Sequence, residues 1–232
     1  MPSGKLVFVD HENNRLLIHD ENGLFDFERP VSHRPVDVTC INEYNVAVTH
    51  NEKPYRIEIV NIANKNIVKR IKTSERCYGI TNKSGKLIYY ESGRGIQTVD
   101  ITNGRAATTV VKVYDNHDWT YVTTSKDKIY LTDQYSSTVT CYTLTGQKVW
   151  ECKNETFVIS VGGVTIDNES NVYVVSYGND SIVVLSSDGK HIRQLLGKEH
   201  GIENPLVIHF DQRRNILLVT SLFGTAFLYN IK

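Results

Sequence analysis

The sequence has no excess of charge of either sign, because 26 Lys and Arg residues balance 26 Asp and Glu residues over 232 positions. Domains that clamp nucleic acid usually carry a basic excess, so this balance argues against an electrostatic nucleic-acid clamp. The sequence also lacks any run of about 18 consecutive apolar residues, and we therefore expect no transmembrane helix. No basic segment followed by an apolar one opens the chain, so we expect no signal peptide and a cytoplasmic protein.

Cysteine is scarce, and its spacing does not suit a metal site. None of Cys40, Cys77, Cys141 and Cys152 belongs to a C-x-x-C pair, so a zinc site is not expected. In a reducing compartment the thiols are expected to be free. Cys141 and Cys152 lie symmetrically about the turn at Gly146, and we expect them to face each other across a β-hairpin.

No stretch of the sequence shows sustained helical periodicity, and the pattern that is present is a repeat. A turn residue, a short β-branched or aromatic run and a polar stop recur six times, at intervals of 40 to 44 residues. Runs of four or five such residues between Gly, Asn, Asp or Lys are typical of buried strands. The six runs begin at Leu6, Val46, Leu87, Ile129, Val172 and Ile216.

Each run is followed by further short strand-like segments. Residues 15–18 form one of them, and the Asn22-Gly23 turn leads to the next, because Asn-Gly tolerates the positive φ of a tight hairpin. Four short antiparallel strands in each repeat describe one blade of a β-propeller, which buries its faces only when neighbouring blades stack on it. We therefore predict an all-β, six-bladed β-propeller that occupies residues 1–232 as a single domain. A β-sandwich is the alternative, but it does not account for the regular spacing of 40 to 44 residues.

Residues 163–190 resemble the NHL repeat. They read G-V-T-I-D, N-V-Y-V-V, G-N-D-S-I-V-V-L and S-D-G-K in order, where the repeat has an inner strand ending in Asp, a G-N-I-Y-V-A-D strand, a G-N-x-R-I-x-V strand and a D-G turn. Residues 13–18 fit as well, whereas blades two to four keep the strands and lose most of the signature. The chain is thus similar to the C-terminal NHL propellers of invertebrate TRIM-like proteins. That resemblance implies the substrate-recognition part of a ubiquitin-ligase-type protein, although no RING-like cysteine cluster or heptad run is present.

The strand pattern predicts that the terminal blades are incomplete. Residues 1–5 read as an internal turn, so the first blade lacks its inner strand, and residues 229–232 follow the third strand of the last blade. We expect three strands in each of these two blades and four in every other blade. The expectation that follows is that this chain is a fragment of a longer parent protein.

The inner strands offer little for catalysis. Some six-bladed propellers are lactonase-type hydrolases with a cage of oxygen and nitrogen ligands, and such a cage needs several converging groups. The inner strands here supply Asp37 and His209 alone, and we expect Asp37 to bond neighbouring backbone. No nucleophile elbow, H-E-x-x-H motif or Walker loop is present. His117, between Asp115 and Asp118, is interpreted as part of a solvated turn. We therefore predict no enzymatic activity, metal, cofactor or small-molecule substrate, with a propeller hydrolase as the least favoured alternative.

One rim of the propeller is predicted to carry the binding site. Aromatic residues occupy equivalent loops of the last three blades, and exposed aromatics beside Arg are typical anchors of protein interfaces. We predict a protein or peptide partner, with RNA as the alternative because aromatic rings also stack on bases. Acidic residues on the same rim weaken the RNA interpretation. The predicted partner-binding residues are Arg34, Arg76, Arg94, Trp119, Tyr135, Tyr177 and Phe223.

Overall fold

The computed structural model describes residue 1 and residues 3–102, 107–113 and 117–231. Strands make up 56% of the chain and helices 3%, so the prediction of an all-β protein is confirmed. The strands form six antiparallel sheets in chain order. We number these sheets as blades 1 to 6. They fall into two compact units of three blades each, residues 1–116 and residues 117–232.

The first unit contains blades 1 to 3. Blade 1 consists of β1 (Leu6–Asp10), β2 (Arg15–His19) and β3 (Phe25–Pro30). Blade 2 consists of β4 (Pro35–Cys40), β5 (Asn45–His50), β6 (Arg56–Asn61) and β7 (Asn66–Lys72). Blade 3 consists of β8 (Cys77–Lys83), β9 (Lys86–Glu91), β10 (Gly95–Asp100) and β11 (Thr108–Val111).

The second unit contains blades 4 to 6. Blade 4 consists of β12 (Tyr121–Thr124), β13 (Lys128–Asp133), β14 (Thr138–Thr143) and β15 (Lys148–Cys152). Blade 5 consists of β16 (Val161–Ile166), β17 (Val172–Ser176), β18 (Ser181–Leu185) and β19 (Ile192–Leu196). Blade 6 consists of β20 (Pro205–Asp211), β21 (Ile216–Ser221) and β22 (Ala226–Asn230). Two single-turn 3₁₀ helices span Tyr177–Asn179 and Lys198–His200.

The repeat that the sequence shows is the blade. The six recurrent runs correspond to β1, β5, β9, β13, β17 and β21, and each strand begins within a residue of the run. Within the described residues blades 1 and 6 have three strands and the others have four, as the pattern predicts. Gly4 adopts the left-handed conformation, and its N–H donates to the Met1 carbonyl at 2.9 Å, which confirms the turn that precedes β1.

Neighbouring blades within a unit bury their faces against each other. In blade 5 every residue of β17 and β18 is buried, whereas exposed and half-buried residues alternate along outer strands such as β7. Apolar clusters join blades 1 and 2, 2 and 3, 4 and 5, and 5 and 6. Each fully buried Val, Ile or Leu contributes about 1.5–3 kcal/mol to the free energy of folding. The stacking of blades therefore provides the core that a single sheet would lack.

Hydroxyl groups connect the second strand of one blade to the inner strand of the next. Thr49 Oγ1 donates to the carbonyl of Tyr78 at 2.6 Å, and Thr132 Oγ1 donates to the carbonyl of Gly162 at the same distance. Both acceptors lie where a β-bulge interrupts the ladder between the first and second strands of the next blade. A bulge leaves a backbone group without its ladder partner, and the buried threonine of the preceding blade satisfies it.

The outer strand of blade 4 docks on a turn of blade 5. Trp150 Nε1 donates to the carbonyl of Ser187 at 3.1 Å. Gly189 has a φ of 72°, and a Cβ atom placed there would lie 2.6 Å from the Trp150 ring. Glycine is required at this position both by its left-handed backbone and by the close approach of the indole.

The expectation that Cys141 and Cys152 face each other is wrong. Cys141 is opposite Trp150, and Cys152 is opposite Val139. A register shift between Cys141 and Tyr142 displaces the pairing that symmetry about Gly146 would give. All four cysteines are free thiols in the structure.

Candidate functional site

Loops between blades and loops between second and third strands lie on the same side of each unit, which we call its rim. Three hydrogen bonds of one kind establish this arrangement. A side-chain oxygen in the loop between second and third strands accepts the backbone N–H of a residue in the following interblade loop. The pairs are Asn14 with Arg34 (2.8 Å), Ser137 with Ser160 (2.9 Å) and Asp180 with Asn204 (2.7 Å).

These three bonds, which we call rim latches, share an unusual backbone. All six residues have a φ between 47° and 55°, a conformation that is uncommon outside glycine and favours Asn and Asp. Each latch also satisfies an N–H group that no strand ladder could reach. The bond from Asn204 is the main reason that the pKa of Asp180 lies below its usual value. The loops that form the rim are therefore fixed to one another.

The end of each second strand also reaches the rim. Glu91 Oε1 accepts the N–H groups of Ser74 and Glu75 at 2.7 and 2.9 Å, and Ser176 Oγ accepts the N–H of Ile159 at 3.0 Å. At the equivalent position in blade 2, His50 Nδ1 lies 3.2 Å from a backbone carbonyl of the preceding loop. The same position in blades 2, 3 and 5 thus ties the preceding interblade loop to its own blade.

Two of the predicted aromatic residues are strongly exposed on the rim of the second unit. Tyr135 is 83% exposed and Phe223 is 79% exposed, and Leu222 beside Phe223 is 51% exposed. Tyr135 lies between β13 and β14, and Phe223 lies between β21 and β22. These side chains offer apolar surface to a partner without being required for the core.

The other two predicted aromatic residues of this unit are half-buried. Tyr177 packs against the apolar cluster of blades 5 and 6, and Trp119 packs against the cluster of blades 4 and 5. Both side chains therefore pack between the rim and the core. The sequence pattern did not predict this packing. The exposed part of the predicted site in this unit reduces to Tyr135 and Phe223.

The predicted arginines belong to the rim of the first unit, and all three are exposed. Arg34 Nη1 lies 3.0 Å from Glu12 Oε1. Arg94 Nη1 donates to Ser74 Oγ at 2.9 Å, and its Nε lies 3.4 Å from the buried carboxylate of Glu91. Arg34 and Arg94 thus combine exposure with a hydrogen bond that orients the guanidinium.

An imidazole–carboxylate pair lies beside Tyr135, and sequence reasoning missed it. His117 Nδ1 and Asp133 Oδ2 are 2.5 Å apart, and both side chains are about one-fifth exposed. Asp133 Oδ1 accepts the N–H groups of Tyr135 and Ser136 at 3.0 and 3.3 Å. The ring of Tyr135 lies over His117, with 4.8 Å between centroids. The partner of His117 is therefore a residue at the end of β13, whereas Asp115 lies outside the described residues.

The geometry of this pair fixes one nitrogen of the imidazole. With Nδ1 bonded to the carboxylate, Nε2 is the nitrogen that remains for another group, and the described residues provide no hydrogen bond to it. The sequence could have indicated this contact, because Asp133, like His50 and Glu91, is the last residue of the second strand of its blade. The prediction would also need the structural fact that this residue contacts the preceding interblade loop.

A second ionisable cluster is buried in the first unit. The fully buried carboxylate of Glu58 accepts bonds from Ser32 Oγ at 2.6 Å and Arg70 Nε at 2.9 Å, and His50 Nε2 lies 3.6 Å away. Burial acts to raise the pKa of Glu58, but the bonds from Ser32 and Arg70 outweigh it and lower the pKa. Burial lowers the pKa of His50. The cluster holds the loop before β4 against blade 2.

Asp37 is the inner-strand carboxylate that the sequence singled out. Its two oxygens accept the N–H of Val38 at 2.8 Å and the N–H of Ile80, in the neighbouring blade, at 2.9 Å. This confirms the expectation that Asp37 bonds backbone. Burial raises the pKa of Asp37 to about 6, against the lowering effect of the two N–H groups. His209, on β20, has an exposed side chain.

Within the described ranges no three His, Cys, Asp or Glu side chains are arranged to hold a metal ion. The helices in those same ranges are too short and too polar for any of them to cross a membrane.

The two rims differ in charge. The rim of the second unit comprises residues 117–119, 134–137, 153–160, 177–180, 197–204 and 222–225, and there acidic residues outnumber basic ones. Its charged residues are Asp118, Glu155, Asp180, Glu199 and Glu203 against Lys153 and Lys198. On the rim of the first unit the balance is reversed. Among the described residues of its loops, the charged ones are Arg34, Lys53, Arg76, Arg94 and Lys112 against Glu12, Glu52 and Glu75.

Comparison with known proteins identifies the fold. No protein-family model matches the sequence, and no curated protein matches it either. Among solved structures, a protein of unknown function from Bacteroides thetaiotaomicron superposes with a TM-score of 0.80 at 12% identity, over 97% of this chain and 66% of that one. A streptogramin B lyase superposes with a TM-score of 0.72 at 15% identity, over 100% of this chain and 81% of that one.

A third structure is the β-propeller domain of Myceliophthora thermophila Cps50 (Swd1), which superposes with a TM-score of 0.68 at 8% identity, over 97% of this chain and 96% of that one. The chain is a six-bladed β-propeller. At these identities the likeness shows the fold alone, and the chain spans slightly less than two thirds of the Bacteroides protein. The prediction of a six-bladed propeller is confirmed, whereas membership of the NHL or TRIM-like families stays a prediction.

The prediction that the chain has no enzymatic activity is corrected by the same comparison. A lyase has this fold over the full length of the chain, so the fold is one that enzymes use. The prediction rested on the inner strands, where too few ligands for a metal cage were found. Acid–base groups can also lie on the rim, and His117 and Asp133 do.

Proposed function

We propose that this propeller recognises a protein or peptide partner through the rim of its second unit. The observation that supports this most directly is the exposure of Tyr135 and Phe223. The Ser137–Ser160 rim latch holds the loop of Tyr135, and the N–H of Leu222 ties the loop of Phe223 to the Asn204 carbonyl. Rings on loops that are already fixed lose less conformational entropy when a partner covers them. Residues of this kind supply most of the binding free energy in many protein interfaces.

A selection from a random peptide library tests this proposal without assuming the partner. We expect the wild-type protein to enrich peptides that the Tyr135→Ala/Phe223→Ala variant no longer binds, because truncating a true anchor costs about 2 kcal/mol or more. Tyr44→Ala is the matched control, since Tyr44 is 52% exposed in a loop on the side opposite the rim. Thermal melting should be nearly unchanged in all variants. Peptides that bind the double variant as well as the wild type would contradict the proposal.

RNA remains the alternative ligand, and the basic rim of the first unit is the observation that favours it. Binding to phosphate releases counterions and weakens steeply with salt, whereas an interface centred on aromatic side chains responds weakly. Selection of RNA from a random pool, followed by titration with salt, separates the two. A strongly bound RNA whose affinity depends on Arg34, Arg76 and Arg94, but not on Tyr135, would favour the RNA function.

We propose further that the chain is the substrate-recognition part of a cytoplasmic, TRIM-like protein of the ubiquitin-ligase type. The support is the NHL-like pattern of residues 163–190, which lie within blade 5. Sequencing the complete transcript that encodes this chain tests the assignment. A RING, B-boxes and a coiled coil upstream would support it, and a transcript that encodes this propeller with none of them would overturn it.

A second candidate function is elimination chemistry of the lyase type, and the His117–Asp133 pair is the observation that favours it. Elimination begins when a base takes a proton from carbon, and a carboxylate bonded to Nδ1 orients an imidazole for that role. Nε2 would accept the proton, a carbon–carbon double bond would form, and the leaving group would depart with its electron pair. Incubation with a streptogramin B, followed by liquid chromatography, tests this function. A product that disappears in His117→Gln would support it, and unchanged substrate with the wild type would count against it.

A further inference from the structure

The acidic balance of the second unit's rim indicates what kind of partner its exposed aromatics receive. We infer that this rim binds a cationic segment, rich in arginine or lysine, of a protein partner. This inference rests on the proposed recognition function and specifies its ligand.

One of the two lysines of this rim is paired with a carboxylate. Lys198 Nζ lies 3.1 Å from the carboxylate of Asp180, the residue that forms a rim latch with Asn204. Lys153 is exposed and is the other lysine of the rim. By contrast, Glu155 and Glu203 are exposed, and no ion pair joins either of them to another of the residues that the structure describes. The carboxylates therefore dominate the field at the surface.

Each of these two carboxylates belongs to a loop that is bonded to a loop with an exposed ring. The loop of Glu155 meets the loop of Tyr135 through the latch from Ser160 to Ser137 at 2.9 Å. The loop of Glu203 meets the loop of Phe223, because the N–H of Leu222 donates to the carbonyl of Asn204 at 2.9 Å. Two loops with an exposed ring are thus each bonded to an interblade loop that has an exposed carboxylate.

This pairing fits a guanidinium or ammonium group. A cation over an aromatic face is attracted by the ring quadrupole, and the attraction is stronger when the contact is desolvated. One face of Tyr135 is against His117, which leaves the other face to a ligand, and Phe223 is 79% exposed. A carboxylate on the same rim attracts that cation and repels phosphate. Aromatic contact and charge therefore favour the same ligand, and the charge disfavours nucleic acid at this rim.

Fluorescence anisotropy with defined probes tests the inference. The probes are labelled peptides of equal length that repeat Gly-Ser-Arg, Gly-Ser-Gln or Gly-Ser-Glu. We expect the arginine peptide to bind about tenfold more tightly than the glutamine peptide, as a gain near 1.4 kcal/mol would give. The glutamate peptide should not bind. An arginine peptide that binds no better than the glutamine peptide would overturn the inference.

Charge reversal then locates the site. Glu155→Lys and Glu203→Lys should each weaken binding of the arginine peptide several-fold, and Tyr135→Ala/Phe223→Ala should weaken it about tenfold. Glu169→Lys is the matched control, since it changes the net charge equally at an exposed position between β16 and β17, on the side opposite the rim. An equal loss in Glu169→Lys would mean attraction to net charge alone and would overturn the inference.

The peptide selection described above separates failure of this inference from failure of the proposed function. Enriched peptides that require Tyr135 and Phe223 and contain an excess of Arg or Lys support both. Enriched peptides that require the two rings but carry no basic excess overturn the inference and leave the recognition function standing. If no enriched peptide requires the rings, the recognition function itself is overturned.

Discussion

Asp37 shows how one carboxyl group can join two blades and, because it is buried, be hard to ionise. Each of its oxygens accepts a backbone N–H, one from its own strand and one from Ile80 in the next blade. Those bonds favour the charged form, but removal from water opposes it more strongly, and the pKa rises from 3.8 to about 6. The folded protein therefore holds a proton on Asp37 over a pH range in which the unfolded chain releases it.

This difference predicts a pH-dependent contribution to stability. A pKa that is raised by folding contributes stability that is complete below pH 3.8 and is lost as the pH rises through about 6. Asp37→Asn removes the ionisation and resembles the protonated acid. Relative to the variant, the wild type should therefore lose about 1–2 kcal/mol between pH 4 and pH 7, less than the full shift implies because the side chain is partly accessible. Urea unfolding at several pH values measures this, and a difference that stays constant with pH would contradict it.

Single residues also show how far sequence reasoning reaches. The backbone bonds of Asp37 could be predicted, because a lone carboxylate on an inner strand has only backbone to bond. The partner of His117 could not be predicted, because Asp115 and Asp118 are its acidic neighbours in the sequence. Asp133 is distant in the sequence and lies at the end of β13. Tyr177 and Tyr135 occupy equivalent loops in the repeat, yet one packs on the core and the other is exposed. Loop conformation decides such differences, and the repeat pattern does not encode it.

Among the elements of the fold, the rim latches have the clearest energetic role. Asp180 accepts the N–H of Asn204, pairs with Lys198 and adopts a φ of 50°. Replacing it by Ala would leave that N–H without its acceptor and place a Cβ-only side chain in a conformation that disfavours it. The loop between β17 and β18 would then lose its fixed position relative to the loop before β20.

We therefore expect Asp180→Ala to lower the free energy of unfolding by about 1–2 kcal/mol, and Asp180→Asn to lower it far less. Asn keeps the accepting oxygen and tolerates the left-handed backbone, so it is the matched control. Chemical denaturation of both variants measures the difference. Equal losses in Ala and Asn would show that the charge of Asp180, through Lys198, matters more than the latch.

The positions of the strands could be predicted, because buried strands recur along the sequence as apolar runs. The pairing of residues between neighbouring strands could not be predicted. The recurrent apolar runs identify the second strand of every blade within a residue. The pairing of Cys141 with Trp150 depends on a bulge that the residue pattern does not predict. Similar shifts interrupt the ladders of β4, β8, β16 and β20. A single inserted residue reverses which side chains face each other, so hairpin symmetry is a poor guide to contacts.

At the scale of the whole molecule, the balance of charge conceals an uneven distribution. The net charge of the chain is zero, and from that value we predicted that the protein is not an electrostatic clamp for nucleic acid. The structure assigns the basic loops to the rim of the first unit and the acidic loops to the rim of the second. Electrostatic attraction acts over about one Debye length, near 8 Å in physiological salt. A ligand at the surface therefore responds to the charges within about that distance more than to the total.

The terminal blades give the last prediction, which concerns local stability. Within the described residues β1 has no inner neighbour and β22 has no outer neighbour, so each leaves one row of backbone groups outside a ladder. β1 contains only half-buried residues, whereas β5, at the same place in blade 2, is almost entirely buried. Amides that lack ladder bonds and core contacts open at low free-energy cost. We expect hydrogen exchange to be faster in β1 and β22 than in β9 and β17, under conditions in which the protein is folded. Protection in β1 and β22 that equals that of the four-stranded blades would contradict this expectation and would show that other groups cover those edges in solution.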